Sequence, residues 1–73
     1  MILNISKGAI PMHKNLFIVR KEQRMTQKAA ANLINISPRA YYSKENKRTD
    51  FTLKEAQKLA KYFKTTVDEL FEK

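Results

Sequence analysis

Apolar residues recur at helical spacing in the middle of this chain. Within residues 26–34, Ala30, Ala31 and Ile34 lie on one helical face by the i, i+3, i+4 rule. Thr26 is suited to the start of a helix, because its side-chain oxygen can accept a hydrogen bond from a free backbone N–H. The pattern predicts a helix over residues 26–34, whose small alanines let a second helix approach closely.

A tight turn and a second helix are predicted next. Asn35 lies where the chain must turn, and asparagine adopts the left-handed backbone conformation more readily than any residue except glycine. Ser37 supplies an N-cap oxygen, and Pro38 has the fixed φ that suits the first helical position. The second helix is therefore predicted over residues 38–45, and it is called the reading helix below.

The faces of the reading helix follow from the helical step of about 100° per residue. We expect Ala40 and Tyr41 to face inward. Two short helices joined by a tight turn form a helix-turn-helix, a motif whose second helix enters the major groove of DNA. The outward residues, and the expected base contacts, are then Pro38, Arg39, Tyr42 and Ser43.

The residues before this motif predict one more helix. Leu16, Val19 and Arg20 have helical spacing. This helix is expected over about residues 12–23, with Pro11 near its start, because proline is favoured at the first helical position.

Two capping boxes predict two helices after the motif. Such a box pairs a Ser or Thr N-cap with a Glu or Gln three residues later, as in residues 52–55 and 66–69. Met25 and Ile36 are expected to plug the two sides of the motif. An all-α fold of five helices around one small core results. The residues expected to be buried in the last two helices are Leu53, Ala56, Leu59, Ala60, Phe63, Val67, Leu70 and Phe71.

The segment from Leu16 to Phe71 resembles the phage Cro and lambda-repressor-like helix-turn-helix family, also called XRE. No single landmark is specific, but their joint spacing is. The resemblance implies a five-helix DNA-binding domain that acts as a repressor or Cro-like regulator of a phage or prophage in a bacterium. The landmarks are Leu16, Val19, Arg20, Thr26, Gln27, Ala30, Ala31, Ile34, Ile36, Ser37, Glu45, Asn46, Leu53, Leu59, Ala60 and residues 67–71.

The chain also departs from this family. Members often have a large apolar residue where Lys44 stands, and they usually have glycine at four positions that are not glycine here. A non-glycine residue in the left-handed region costs roughly 1 kcal/mol, so the helix ends are expected to be looser than in the family. The four positions are Arg24, Asn35, Lys47 and Lys64.

The resemblance implies a partly buried salt bridge as well. It would join Arg20 in the first helix to Glu45 at the end of the reading helix, and it would fix the angle of that helix. The alternative is that these are two unrelated surface charges.

Basic residues are concentrated on the motif. The 73-residue chain has 15 Lys and Arg against 7 Asp and Glu, which gives a net charge of +8. Residues 24–49 contain six of the basic residues and one acidic residue, whereas residues 51–73 contain five and four. The excess lies where DNA phosphates would lie. The alternative is that the lysines only keep a small protein soluble.

Side-chain chemistry separates base contacts from phosphate contacts. The guanidinium of Arg39 matches the O6 and N7 acceptors of guanine, with a phosphate contact as the alternative. Tyr42 can offer a hydroxyl group or an apolar ring, and Ser43 a short hydroxyl. Gln27 lies at a helix N-terminus, where an amide and backbone N–H groups can hold a phosphate. The expected phosphate contacts are Gln27, Lys28, Lys44, Asn46, Lys47 and Arg48, and for the last four the alternative is a solvated loop.

Two parts of the chain are expected to differ in role. Residues 12–73 form the DNA-binding domain, and residues 1–11 form an extension outside the matching region. Ile2, Leu3 and Ile5 could make a short strand, while a disordered extension is equally compatible with the sequence. We expect residues 1–11 to be dispensable for DNA binding.

Composition argues against several other classes of protein. Without cysteine, neither disulfides nor a cysteine metal site can hold the fold. No apolar run reaches the length of a membrane span and no signal peptide is apparent, so a cytoplasmic location is the default. The only histidine, His13, lacks clustered ligands or carboxylates. We therefore expect no enzyme activity, no metal, no cofactor and no small-molecule substrate.

Sequence-specific binding of a double-stranded DNA operator is the function that this sequence favours. A single domain buries little surface on DNA, so a homodimer on two half-sites is expected. The alternative is a protein-interaction module of antitoxin or adaptor type, whose basic face docks an acidic partner. A membrane-surface peptide is disfavoured because the basic residues do not lie opposite one long apolar face.

Overall fold

The computed structural model describes residues 12–71. Five helices follow one another and no strand occurs in this range, so the predicted all-α, five-helix fold is confirmed. The strand considered for residues 1–11 lies outside the described residues. The helices are α1 (Lys14–Glu22), α2 (Gln27–Leu33), α3 (Pro38–Glu45), α4 (Leu53–Tyr62) and α5 (Val67–Leu70).

Side-chain caps set the start of four of these helices. A hydroxyl oxygen at each N-cap accepts a hydrogen bond from the backbone N–H three residues later, at 3.0 to 3.1 Å. These bonds satisfy N–H groups that have no partner within the helix. The four caps are Thr26, Ser37, Thr52 and Thr66.

The first helix begins later than its sequence predicts. It starts at Lys14 with His13 as N-cap, and the His13 side chain makes no capping bond. The backbone N–H of His13 instead donates to the carbonyl oxygen of Glu45 at 2.9 Å. The chain therefore enters α1 across the end of α3, and the predicted start near residue 12 is corrected by two residues.

Only the first of the two predicted capping boxes is complete. Thr52 and Glu55 bond each other reciprocally, as such a box requires. Glu69 donates its N–H to Thr66, but its Oε1 accepts a hydrogen bond from the hydroxyl group of Thr65 at 2.8 Å. The Glu69 carboxylate thus bonds the neighbouring Thr65 hydroxyl, whereas a complete second box requires it to accept from the backbone N–H of Thr66.

Two residues after the last residue of each helix from α1 to α4, the chain passes through a residue in the left-handed region. Their φ angles are 54°, 55°, 59° and 56°, at the four positions where the resembling family has glycine. Asparagine tolerates this conformation, whereas arginine and lysine at such sites cost roughly 1 kcal/mol each. The residues, in chain order, are Arg24, Asn35, Lys47 and Lys64.

The core lies where the helices meet, and α2 and α3 pack together most extensively. Met25 and Ile36 pack against it from the two sides of the motif, as expected. Leu53 is an exception to the predicted stripe, since it remains 67% exposed. It is the first residue of α4, where side chains point back past the helix end, so the buried stripe begins a turn later. The buried cluster is Leu16, Ala30, Ala31, Ile34, Tyr41, Leu59, Ala60, Phe63 and Leu70.

Candidate nucleic-acid interface

The inner side of α3 holds a buried carboxylate with four hydrogen bonds. Glu45 Oε2 accepts from Arg20 Nε at 2.9 Å and from the Tyr41 hydroxyl at 2.8 Å. Its Oε1 accepts from Arg20 Nη2 at 3.1 Å and from Gln27 Nε2 at 3.0 Å. The Arg20 and Glu45 side chains expose 7% and 1% of their surface. The pair that the resemblance implies is therefore present, and it is bidentate.

Arg20 also joins this carboxylate to the turn before the motif. Its Nη1 donates to the carbonyl oxygen of Met25 at 2.8 Å, while Met25 N donates back to the Arg20 carbonyl at 3.0 Å. One guanidinium therefore links α1, the turn that leads into α2, and α3. Because α2 contributes Gln27 to the same carboxylate, the angle of α3 is fixed from three elements.

The charged groups in this network are stabilised by hydrogen bonds to one another and to their neighbours rather than by water. Burial alone would raise the pKa of Glu45, but hydrogen bonds from Arg20, Gln27 and Tyr41 outweigh it and lower that pKa. Burial and the adjacent carboxylate raise the pKa of the Tyr41 hydroxyl, so it stays a donor. The network keeps its charges and bonds throughout the neutral pH range.

The outer side of α3 is open to solvent. Pro38, Arg39 and Tyr42 are exposed, and Tyr42 exposes 45% of its surface. The guanidinium carbon of Arg48 lies 5.8 Å from the centroid of the Tyr42 ring, a distance at which cation and ring attract. Ser43 is half-buried, and its carbonyl oxygen accepts from Arg48 N at 2.8 Å. Pro38, Arg39, Tyr42 and Ser43 form one surface, which we call the outer face.

The six residues expected to contact phosphate fall into two groups. Lys28, Lys47 and Arg48 are exposed. The polar side-chain atoms of the other three are hydrogen-bonded to other groups of the protein, which the sequence did not predict. Those bonds run from Gln27 Nε2 to Glu45, from Lys44 Nζ to Glu55 Oε1 at 2.8 Å, and from Asn46 Nδ2 to the Tyr42 carbonyl oxygen at 2.9 Å.

The partners of these side chains do not follow from the sequence, for identifiable reasons. The capping box alone accounts for Glu55 in the sequence, although the charge at Lys44 in place of an apolar residue is a signal that an anion lies nearby. The His13 ring contacts Phe51 and Phe71 at centroid distances of 5.5 and 5.2 Å. No pattern in the sequence marks that cluster.

Two kinds of site find no support in residues 12–71. No group of three or more His, Cys, Asp or Glu side chains within that range could hold a metal ion. Among the same residues, every helix is too short or too polar to cross a bilayer.

Comparison with known families agrees with this geometry. A family model described as helix-turn-helix matches residues 16–70, which include all five helices except the first two residues of α1. No curated protein and no solved structure gives a significant match. The chain belongs to the XRE, or lambda-repressor-like, family of DNA-binding helix-turn-helix regulators.

Proposed function

We propose that this protein recognises a specific double-stranded DNA sequence by inserting α3 into the major groove, and that it acts as a repressor or Cro-like regulator. The observation that carries the proposal is the contrast across α3. Its inner side is bonded to α1 and α2 through Glu45, while Arg39 and Tyr42 project from its outer face. A helix that is held rigidly and presents unpaired polar groups is suited to reading base edges.

Arg39 is the proposed main base contact. Its guanidinium is exposed at the second residue of α3, close to the helix end that enters the groove in this motif. Bidentate bonding to guanine would make it the largest single source of discrimination. Pro38, Tyr42 and Ser43 are proposed to contact neighbouring base edges or thymine methyl groups.

Phosphate contacts are proposed for the exposed cations on either side of the outer face. Lys28 follows the start of α2, and Lys47 and Arg48 follow the end of α3. Gln27 keeps one amide hydrogen beyond the one that Glu45 accepts, so it can still bind a phosphate while it is anchored. Asn46 and Lys44 are already bonded within the protein, and their contribution to phosphate binding is smaller in this proposal.

Two copies of the chain are proposed to bind together. One such domain covers only part of a helical turn of DNA, and specificity in this motif class normally comes from half-sites about one turn apart. A homodimer on a near-palindromic operator satisfies that geometry.

The proposal is tested by selecting bound sequences from random duplex DNA and titrating the best of them with salt. We expect one enriched half-site, repeated at a spacing of about 10 base pairs, and affinity that falls steeply with salt. Enrichment of no sequence, with equal salt-sensitive binding of all duplexes, would show a generic polycation. No binding of any duplex would favour a module that docks an acidic protein.

A further inference from the structure

We propose that Glu55 positions the reading helix and the loop that follows it, by binding Lys44 and the start of α4 through one carboxylate oxygen. The inference rests on the proposed function, since it assigns the DNA-binding surface a positioning residue that lies outside that surface. It also changes the role of Lys44. Instead of binding a DNA phosphate, its ammonium forms a salt bridge with Glu55 within the protein, which we call the internal tie.

The geometry at Glu55 joins two helices at one atom. Its Oε1 accepts from Lys44 Nζ at 2.8 Å and from the backbone N–H of Thr52 at 3.0 Å. The Lys44 and Glu55 side chains expose only 16% and 15% of their surface. The last turn of α3 and the first turn of α4 are therefore bonded to the same oxygen, in a place that is largely closed to solvent.

This bond closes the base of the loop between the two helices. The exit loop, residues 46–52, leaves α3 through a bond from Arg48 N to Ser43 O at 2.8 Å. At its other end the loop runs into the cap that Glu55 completes. Because Lys44 and Glu55 stand just outside the loop on either side, their ion pair limits how far its ends can separate. The exposed cations of the exit loop, Lys47 and Arg48, thus extend from a loop whose two ends are held close together.

Electrostatics keep the tie intact at neutral pH. Burial alone would raise the pKa of Glu55, but hydrogen bonds from Lys44 and Thr52 hold it below its ordinary value. The carboxylate is therefore charged and neutralises the ammonium beside it. Only cations that neutralise phosphates release counterions on binding, so Lys44 is not expected to add to the salt dependence of DNA binding.

The position of Lys44 within α3 supports the same assignment. It lies one residue before Glu45, so the two side chains leave the helix about 100° apart. Glu45 turns toward α1 and α2, and Lys44 turns toward α4. The last turn of α3 is therefore held against three helices by two adjacent side chains of opposite charge.

Two substitutions separate an internal tie from a phosphate contact. Glu55→Gln removes the negative charge but suits the same capping position, because Gln replaces Glu in capping boxes. Lys44→Met keeps the apolar stem and removes the ammonium. Arg48→Met serves as the phosphate-contact reference, and Lys61→Met, an exposed cation on α4, controls for loss of one net charge. Thermal unfolding verifies that each variant is folded under the assay conditions.

The readouts are the salt slope of binding to the preferred duplex and amide exchange of Arg48 N–H in the free protein. We expect Lys44→Met and Lys61→Met to keep the parental slope, and Arg48→Met to reduce it by about 0.9. Glu55→Gln should weaken binding about two- to fivefold at every salt concentration, the effect of losing one partly covered ion pair, and it should speed the exchange of Arg48.

A slope reduced by about 0.9 in Lys44→Met would overturn the proposal, because it would show a phosphate contact. Parental affinity or parental Arg48 exchange in Glu55→Gln would also overturn it. If the parent protein prefers no duplex, the proposed function fails on its own, and amide exchange still decides the role of Glu55.

Discussion

On the inner side of α3, Tyr41 and Glu45 expose 0% and 1% of their surface, and the Glu45 carboxylate accepts four hydrogen bonds. On the outer side of the same eight-residue helix, Tyr42 exposes 45% and Arg39 is open to solvent. Residues adjacent in sequence therefore have different roles, in fold stability on the inner side and in the proposed DNA binding on the outer side. Inner substitutions should change the free energy of unfolding, and outer ones should change DNA binding alone.

The largest effect is expected on the inner side, at Glu45. Glu45→Ala removes the carboxylate and leaves the Arg20 guanidinium buried without its anion, along with unpaired donors on Gln27 and Tyr41. Breaking a buried pair from one side costs about 3–5 kcal/mol. Urea denaturation should show a loss of that size, enough to unfold much of a domain this small.

A double substitution makes this test specific. Replacing both partners with apolar residues, as in Arg20→Met with Glu45→Leu, removes both buried charges and should recover much of the lost stability. A single variant that lost less than about 1 kcal/mol would mean that the pair behaves like a surface salt bridge.

On the outer face, Arg39→Ala should leave unfolding unchanged and alter recognition. Arg39 is exposed, and no hydrogen bond or ion pair ties it to the core among the described residues. Losing a bidentate guanine contact should cost about 1–3 kcal/mol on the preferred duplex and little on a scrambled one. Competition binding to the two duplexes measures the difference, with Lys61→Ala as the control for lost charge. An equal loss on both duplexes would make Arg39 a phosphate contact and contradict the base-reading assignment.

The contacts on the inner side of α3 could be predicted from the sequence better than the contacts at the edge of its outer face. The caps follow from local residue types, and the positive φ at Lys47 and Lys64 follows from the glycine pattern of the resembling family. The Lys44–Glu55 pair did not follow, because it depends on how two helices approach in space after an intervening loop. The exposure of Leu53 was missed for a related reason, since a helical stripe does not reveal where the core ends.

Two of the residues in the left-handed region allow a test with a smaller expected effect, which again separates stability from DNA binding. Lys47→Gly and Lys64→Gly each place glycine where φ is 59° and 56°, and each should stabilise the fold by up to about 1 kcal/mol. Lys47 also lies in the exit loop, so Lys47→Gly should weaken DNA binding and lower the salt slope by about 0.9. Lys64→Gly is the matched control, because it lies after α4 and should leave the slope unchanged. Equal slopes for both variants would remove Lys47 from the proposed phosphate contacts.

The smallest expected effect concerns pH and His13, whose backbone N–H donates to the carbonyl oxygen of Glu45 at the end of α3. His13 caps α1 through its backbone and packs its ring against Phe51 and Phe71. Its Nδ1 is buried and has no hydrogen-bond partner among residues 12–71. Burial lowers the pKa of His13 below its ordinary value of 6.5, and the nearby charge of Lys47 lowers it further.

The direction of the pH effect follows from which state binds the proton first. As pH falls through 6.5, the unfolded chain protonates His13 before the folded one does, so the free energy of unfolding decreases. The loss is complete once pH passes below the lowered pKa of the folded state. Urea denaturation between pH 8 and about 5 should show this decline, and His13→Phe, which keeps a ring but cannot titrate, should flatten it.

Lowered pKa values at Glu45 and Glu55 act only at more acidic pH, as pH falls below their ordinary value of 4.5. A decline that persists in His13→Phe would therefore assign the effect to another group and leave the ring of His13 with a packing role alone.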